Sequence, residues 1–281
     1  MSGDSASFVG VAATGRISKR HTISGDLVRA ARLWRIWLRL GVQDVRRRFR
    51  RSVLGAAWIF LQLAIMILAL GVIYGALLKQ DLTSFLPFLT VSLIAWGYLT
   101  SSVTEGGQAF IASEGYVKQI GLPIYVYVFR FFVSISITAA ISSLAYVAVA
   151  VVLRAPLGWG VLWAVPGIIL FAVVSLLLTT IFAYVTTRFR DAAYMAAAGL
   201  QVLFYVTPVI WRREMLRSHG LDWVVRVNPL YHLLEVVRRP LLDSHPASAA
   251  SYLVTLLLVV ALAGGAWVTA RVYHRRIVYF L

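Results

Sequence analysis

"VLGAAWIFLQLAIMILALGVIYGALLKQD", Val53–Asp81, carries no charged residue until Lys79. A helix of roughly 20 apolar residues crosses the roughly 30 Å hydrocarbon core of a bilayer. Val53–Leu78 is long enough to do so before the polar turn Lys79-Gln80-Asp81 ends it. Reading outward with the same rule gives five more runs: Phe85–Val103, Val126–Leu153, Leu157–Thr187, Ala192–Ile210 and Tyr252–Ala270. The expected fold class is therefore all-α: a polytopic membrane protein of six transmembrane helices. The fifth and sixth runs only just reach across. The fourth is overlong, and Pro166-Gly167 marks either a kink or the start of its buried part.

Composition agrees with a bilayer as solvent. The chain is 281 residues long, 60% hydrophobic and only 14% charged, where a soluble domain carries about a quarter charged residues. The net charge is 27 − 11 = +16. Such a surplus can signal nucleic acid, but here the basic residues crowd the ends of the apolar runs. Anionic headgroups and membrane topology account for that placement, and no nucleic-acid partner is expected. With the N-terminus inside, 19 Lys and Arg fall on the inner side and eight on the outer, which predicts both termini in the cytoplasm.

Residues 1–25 read as a flexible tail without the apolar core and cleavage site of a signal peptide, so the N-terminus is expected to be retained. Residues 26–52 read as a basic amphipathic helix or helix pair. Leu27, Ala31, Trp34 and Leu38 recur at helical spacing with arginines between, and Trp34 and Trp37 suit the headgroup level of the inner leaflet. Segment 212–250 is too polar to cross and too patterned to be plain loop. In "NPLYHLLEVVRRP", Asn228 is a natural N-cap, Pro229 suits the first helical position, and Leu230, Leu233, Leu234 and Val237 form one apolar stripe. Pro240 is expected to stop this short re-entrant or interfacial helix.

Several kinds of chemistry are missing. No GxxxxGK[ST] cradles a nucleotide phosphate, and no serine sits in a nucleophile elbow. The chain has no cysteine, and its five histidines lack metal-ligand spacing, so neither a metal nor a cofactor is expected on it. The span interiors hold no acid, which argues against ion coupling. Energy is then expected from a partner.

"FYVTPVIW", Phe204–Trp211, closes the fifth run. Pro208 has no N–H to offer the Phe204 carbonyl, so a bend in that span is expected. Together with "RRFRRSVLGAAW" (Arg47–Trp58), "EGYVKQIGLP" (Glu114–Pro123), "RFRD" (Arg188–Asp191) and "NPLYHLLEVVRRPLL" (Asn228–Leu242), this stretch resembles the type-2 ABC exporters. Within them the chain is similar to the permease subunits that export O-antigen, teichoic acid or capsule-like polysaccharide. The resemblance runs from about Arg29 to the C-terminus.

It implies a multi-pass protein of the bacterial cytoplasmic membrane, working as a homodimer with two copies of a separate cytoplasmic ATPase chain that binds ATP and Mg. It also implies a lipid-linked glycan as cargo. By resemblance Tyr116, Val117, Lys118 and Gln119 contact the ATPase, with Glu114 beside them where family members often carry Asn. Arg188, Arg190 and Asp191 are expected at the inner face as anchors. A bent fifth span followed by short outer helices implies an outer gate at Pro208, Trp211, Asn228, Pro229 and Tyr231. Sugar rings stack on aromatic faces, and Trp58, Tyr74, Trp96, Tyr98, Phe204 and Tyr205 fall in spans that the resemblance places near the pore.

Two other readings compete. One is a type-2 exporter of a drug or small lipid. The other is a polytopic glycosyltransferase or acyltransferase, for which only Glu105, Asp191 and His232 are available. The missing nucleotide motifs give a direct test: the purified chain, shown by mass spectrometry to be free of any ATPase subunit, is expected to hydrolyse no ATP. Turnover above the buffer rate would refute that expectation.

Overall fold

The computed structural model describes residues 22–154, 158–217 and 220–281. The expected tail lies outside the described residues up to residue 21. Thr22 already caps the first helix, its Oγ1 accepting from Gly25 N at 3.3 Å. The described residues are helical, without a strand. In chain order the helices are α1 Ile23–Arg32, α2 Trp34–Arg48, α3 Ala57–Leu77, α4 Leu82–Thr104, α5 Glu114–Gln119 and α6 Tyr125–Val152. They continue with α7 Ala164–Arg188, α8 Ala192–Val206, α9 Glu214–Arg217, α10 Asp222–Val227, α11 Pro229–Asp243, α12 Ala249–Tyr273 and α13 Ile277–Phe280.

Five of these helices are long and apolar enough to cross a membrane: α3, α4, α6, α7 and α12, of which α4, α7 and α12 carry short extensions. The expected fifth span is the shorter apolar helix α8 of 15 residues. At 1.5 Å per residue it covers about 22 Å, less than the hydrocarbon core. It does not bend at Pro208, as the sequence suggested. It stops at Val206, and the buried residues Thr207–Ile210 continue the path without helix. The other expectation about a proline is also corrected: Pro240 lies inside α11, which runs on to Asp243. A proline in the interior forfeits one helical hydrogen bond, but α11 packs against α4, α7 and α12, and that packing holds the last turn. Pro166 falls in the first turn of α7, so the fourth run begins its helix there, after a 3₁₀ turn at Trp159–Trp163.

The helix α4 is the centre of the bundle, packed by α3, α6, α7, α8 and α11. Phe85, Leu89, Trp96 and Leu99 on it join Phe171, Val174, Leu233 and Val236 in one buried cluster. In lipid the apolar effect does not draw helices together, since the tails are as apolar as leucine; close packing and small residues must do so. The sequence supplies them. Gly71 and Gly75 on α3 face Leu86 and Leu82, and an added Cβ would lie 2.2 and 2.6 Å from those side chains. Gly167 on α7 lets the backbone of α11 approach so closely that a Cβ would fall 2.0 Å from the Val236 carbonyl oxygen.

Several hydroxyls inside the bundle are satisfied locally, although Thr100, Tyr127, Thr186 and Thr255 are buried without a partner among the described residues. Thr90, Ser92, Ser102, Thr180 and Thr187 donate to the carbonyl four residues earlier, and Ser102 also meets Ser175 at 2.6 Å.

The contact at Gly167 is testable. Gly167→Ala is expected to destabilise the detergent-solubilised protein by about 1–3 kcal/mol, the ordinary cost of overpacking. Gly199→Ala, with open space around its Cβ, is expected to leave the melting temperature unchanged. Equal melting shifts in the two variants would contradict the close approach of α7 and α11.

Candidate functional site

One end of the bundle gathers α1, α2, the segment after α4, α5, the start of α6 and the ends of α7 and α12. The helix α2 docks on α6 through Gly41, whose added Cβ would lie 2.8 Å from the Arg130 carbonyl oxygen. That approach brings Asp44 to Arg130. The guanidinium donates twice to the carboxylate, Nε to Oδ2 at 2.5 Å and Nη2 to Oδ1 at 2.7 Å. Arg130 is buried, and its Nη1 reaches Ser113 Oγ at 3.4 Å. Its Cζ also lies 5.8 Å from the ring centroids of Tyr116 and Phe131. One side chain therefore ties the amphipathic helix, the α4–α6 segment and the first turns of α6. A second ion pair, Arg48–Glu105, joins the end of α2 to the end of α4.

The predicted ATPase-facing residues form the outer surface of this assembly. Tyr116, Lys118 and Gln119 are exposed on α5, while Val117 turns inward against the cluster of Phe110, Val126 and Tyr184. Lys118 pairs with Glu114 at 2.6 Å. The hydrogen bond and charge of Lys118 hold the Glu114 carboxyl below its ordinary range, and the charge of Arg190 adds to the effect. Arg190 thus lies electrostatically close to α5. Arg188 stacks on Phe189 and Phe280, and Asp191 is exposed at the start of α8.

The aromatic candidates fall into separate groups. Trp58 and Tyr98 both line a groove of about 440 Å³ between α3, α4 and α6. Tyr98 donates or accepts at Ser136 Oγ, 2.8 Å away, and stacks on Phe171. Trp96 meets Phe204 edge-on at 5.6 Å, and Phe204 meets Tyr205 at 5.4 Å. Tyr205 is itself 59% exposed. Tyr74 stands apart, half-buried against the α3–α4 packing. Within one chain the six do not form a single ring.

At the opposite end the expected gate residues are brought together. Trp211 Nε1 donates to the Tyr205 carbonyl at 3.1 Å, which caps the end of α8. Asn228 serves two elements: its Oδ1 accepts from Leu230 N at 2.9 Å as the N-cap of α11, with Pro229 at the first position, and its Nδ2 donates to Thr207 Oγ1 at 2.9 Å. Tyr231 is buried and accepts from Arg213 Nη1 at 3.4 Å. Pro208 is buried, and its carbonyl accepts from Arg238 Nη1 at 2.8 Å.

Sequence reasoning missed Arg238, Asp44 and the structural role of Arg130. Arg238 is 4% exposed, paired with Glu235 and 4.5 Å from the Phe88 ring. A signal for Arg130 was present: a cation inside an apolar run needs a partner, and acids are few in this chain. Nothing in the pattern said that the partner would be Asp44, 86 residues earlier. The three groups available to an enzyme do not converge. His232 is buried between Ser251 and the Arg226 carbonyl at the α11 end, and Glu105 is paired at the α2 end.

A helical membrane bundle with a docked basic helix, a short exposed helix between two long apolar ones and short helices before the last span fits a permease-type transporter subunit. The family model for the ABC-2 type transporter matches residues 37–242, and the chain belongs to that family. It is similar to the O-antigen export system permease protein RfbA of Klebsiella pneumoniae, 23% identical over 201 residues that cover 68% of this chain and 74% of that protein. The Myxococcus xanthus protein of the same name gives the same identity and coverage.

The Asp44–Arg130 pair generates a prediction. Removing one partner of a buried ion pair costs about 3–5 kcal/mol, because the other charge is left uncompensated. Arg130→Gln and Asp44→Asn are both expected to lower the melting temperature strongly, the second because it leaves the more buried Arg130 charge without its counter-ion. The double variant should melt close to Arg130→Gln alone. Additive losses would show that the two side chains act independently.

Proposed function

We propose that this chain is the membrane-spanning permease subunit of an ATP-driven exporter of an O-antigen-type polysaccharide, working in the cytoplasmic membrane with both termini in the cytoplasm. The observation that carries this reading is the ABC-2 match over residues 37–242, joined to relatives whose names specify O-antigen export. The working unit is a homodimer with two copies of a cytoplasmic ATPase chain, on which ATP and Mg bind. Support for the dimer comes from α8, where Tyr194 and Met195 are 78% and 73% exposed on an apolar helix with few neighbours of its own. Support for a separate motor comes from a chain without a nucleotide motif.

In this reading the ATPase pushes on Tyr116, Lys118 and Gln119. The load passes from Tyr116 to Arg130 by cation–π contact and from Ser113 by hydrogen bond, and Asp44 carries it into α2. Arg48 and Glu105 pass it to the central helix α4. The helix α4 holds Trp96 and Tyr98, so displacement at the motor end reaches aromatic faces suited to sugar rings. The α8–α11 junction at Pro208, Trp211, Asn228, Pro229 and Tyr231 serves as the outer gate.

The double variant Tyr116→Ala/Lys118→Ala tests this directly. It removes an exposed ion pair and one ring contact of Arg130, so membrane level is expected to hold and the melting temperature to fall only slightly. Polysaccharide export in cells carrying the partner ATPase is expected to fall by at least about tenfold, the effect of losing roughly 1.4 kcal/mol of coupling. Unchanged export at matched membrane levels would place the motor contact elsewhere.

A further inference from the structure

The α11 end contains a cavity of about 490 Å³ between the starts of α4 and α9, the end of α6 and the whole of α11. Its size falls in the range of small-ligand sites, roughly 300–1,000 Å³. Five arginines line it: Arg154, Arg212, Arg213, Arg238 and Arg239. Three acids also line it, Glu214, Glu235 and Asp243, so the wall carries 5 − 3 = +2. The charges are not mixed evenly. Arg154, Arg239, Glu214 and Asp243 are exposed at the rim, whereas Arg212, Arg213, Arg238 and Glu235 are withdrawn from solvent.

Two of the withdrawn guanidiniums are engaged. Arg213 donates to both oxygens of Asp222, at 2.6 and 2.8 Å, which holds the Asp222 carboxyl well below its ordinary range. Arg238 is paired with Glu235. Arg212 differs. Its Cζ sits 5.3 Å from the centroid of Phe88, the ring that Arg238 also covers, so its position is fixed by stacking. Its Nε is buried without a hydrogen-bond partner, and among the described residues no acceptor or carboxylate meets its guanidinium. A guanidinium stacked on a ring, with no acceptor among the described residues and at the wall of a cavity with a surplus of arginine, is an arrangement that can bind an oxyanion two-point.

The level of the cavity in the bundle narrows the ligand class. Its wall includes Thr83 and Ser84, just past the α3–α4 turn. The neighbouring 3₁₀ turn exposes Trp159 by 89% and Trp163 by 54%, and a Cβ on Gly160 between them would fall 2.0 Å from the Ser244 carbonyl oxygen, one residue past α11. Exposed tryptophans at the end of a bundle mark the headgroup layer. A guanidinium at that layer is placed to meet the phosphate of a lipid headgroup by charge-assisted hydrogen bonds.

We infer that this cavity binds the phosphate of an anionic membrane phospholipid, with Arg212 as its principal ligand. The inference is independent of what the chain transports. Free inorganic phosphate has the same chemistry, so the test separates the two sources.

The full chain is reconstituted in nanodiscs of phosphatidylcholine alone, the same with added inorganic phosphate, and phosphatidylcholine mixed with phosphatidylglycerol. Melting temperature is read in each, and retained lipid is read by native mass spectrometry after extraction into detergent. Phosphatidylglycerol is expected to raise the melting temperature of the parent and to stay bound. Arg212→Gln is expected to lower retention about tenfold, as for loss of one charge-assisted hydrogen-bond pair. Arg239→Gln at the rim is expected to lower it far less. Arg212→Lys, which keeps the charge but not the fork, should retain an intermediate amount; it decides the question if the Gln variant does not fold in phosphatidylcholine. Equal retention by the parent and every folded Arg212 variant would overturn the site. A rise with inorganic phosphate that phosphatidylglycerol does not exceed would overturn the lipid as its source.

Discussion

A hydrocarbon solvent offers no water to a backbone group that its own helix has left unpaired, and α8 ends inside the bundle. The last carbonyls of any helix lack intrahelical donors, and Pro208 removes one more donor. Side chains from two other segments answer the shortage. The indole of Trp211 donates to the Tyr205 carbonyl, and the guanidinium of Arg238 donates to the Pro208 carbonyl. Arg238 can lie there because Glu235 balances its charge and Phe88 covers its face. The buried ion pair, the stacked ring and the long helix α11 are therefore consequences of one short helix ending where water is scarce. Asn228 completes the junction by capping α11 and donating to Thr207 with the same amide.

The long helices were legible in the sequence because length and apolarity alone specify them. Asn228 and Pro229 were legible as a helix start for a local reason too, since cap chemistry is written in adjacent residues. Pro208 and Pro240 were misread in opposite senses. A proline's local effect is fixed, but whether it bends, ends or sits within a helix depends on what packs around it. Around Pro208, Arg238 and Trp211 supply donors to an ended helix; around Pro240, α4, α7 and α12 hold the helix together. The site at the α2 end was half legible. Tyr116 and Lys118 were named through the family resemblance, and the structure places them exposed on the short helix α5. The Asp44–Arg130 pair joins two positions 86 residues apart, and no spacing rule reaches that far.

Glycine placement shows the same division. Gly71 and Gly75, four apart on α3, follow a spacing that membrane helices use for close approach, and their neighbours Leu82 and Leu86 come from the next helix in the chain. Gly167 has no such pattern around it. Its reason is the Val236 carbonyl on a helix some 70 residues later, visible only once α7 and α11 are in contact.

The two ends of the bundle are tied by different forces. At the α2 end, elements distant in sequence are joined by ion pairs, Asp44–Arg130 and Arg48–Glu105. At the α11 end the helix pairs Arg226–Asp222 and Arg238–Glu235 are local, four and three residues apart. Links from α11 to α4, α6 and α8 there are hydrogen bonds to carbonyls or hydroxyls: Tyr146 to Leu241, Arg238 to Ser92 and Pro208, and Asn228 to Thr207. Separating Arg130, which is buried, from Asp44 costs far more than exchanging one neutral acceptor for another, whereas the part-exposed Arg48–Glu105 pair adds less. The α2–α6 link is therefore the costlier one to break, while the links from α11 to its neighbours can exchange partners among carbonyls and hydroxyls, even though Arg213–Asp222 ties the segment before α9 to α10. On the proposed reading force enters at the α2 end and a barrier opens at the α11 end, and the distribution of charge along this chain fits that order.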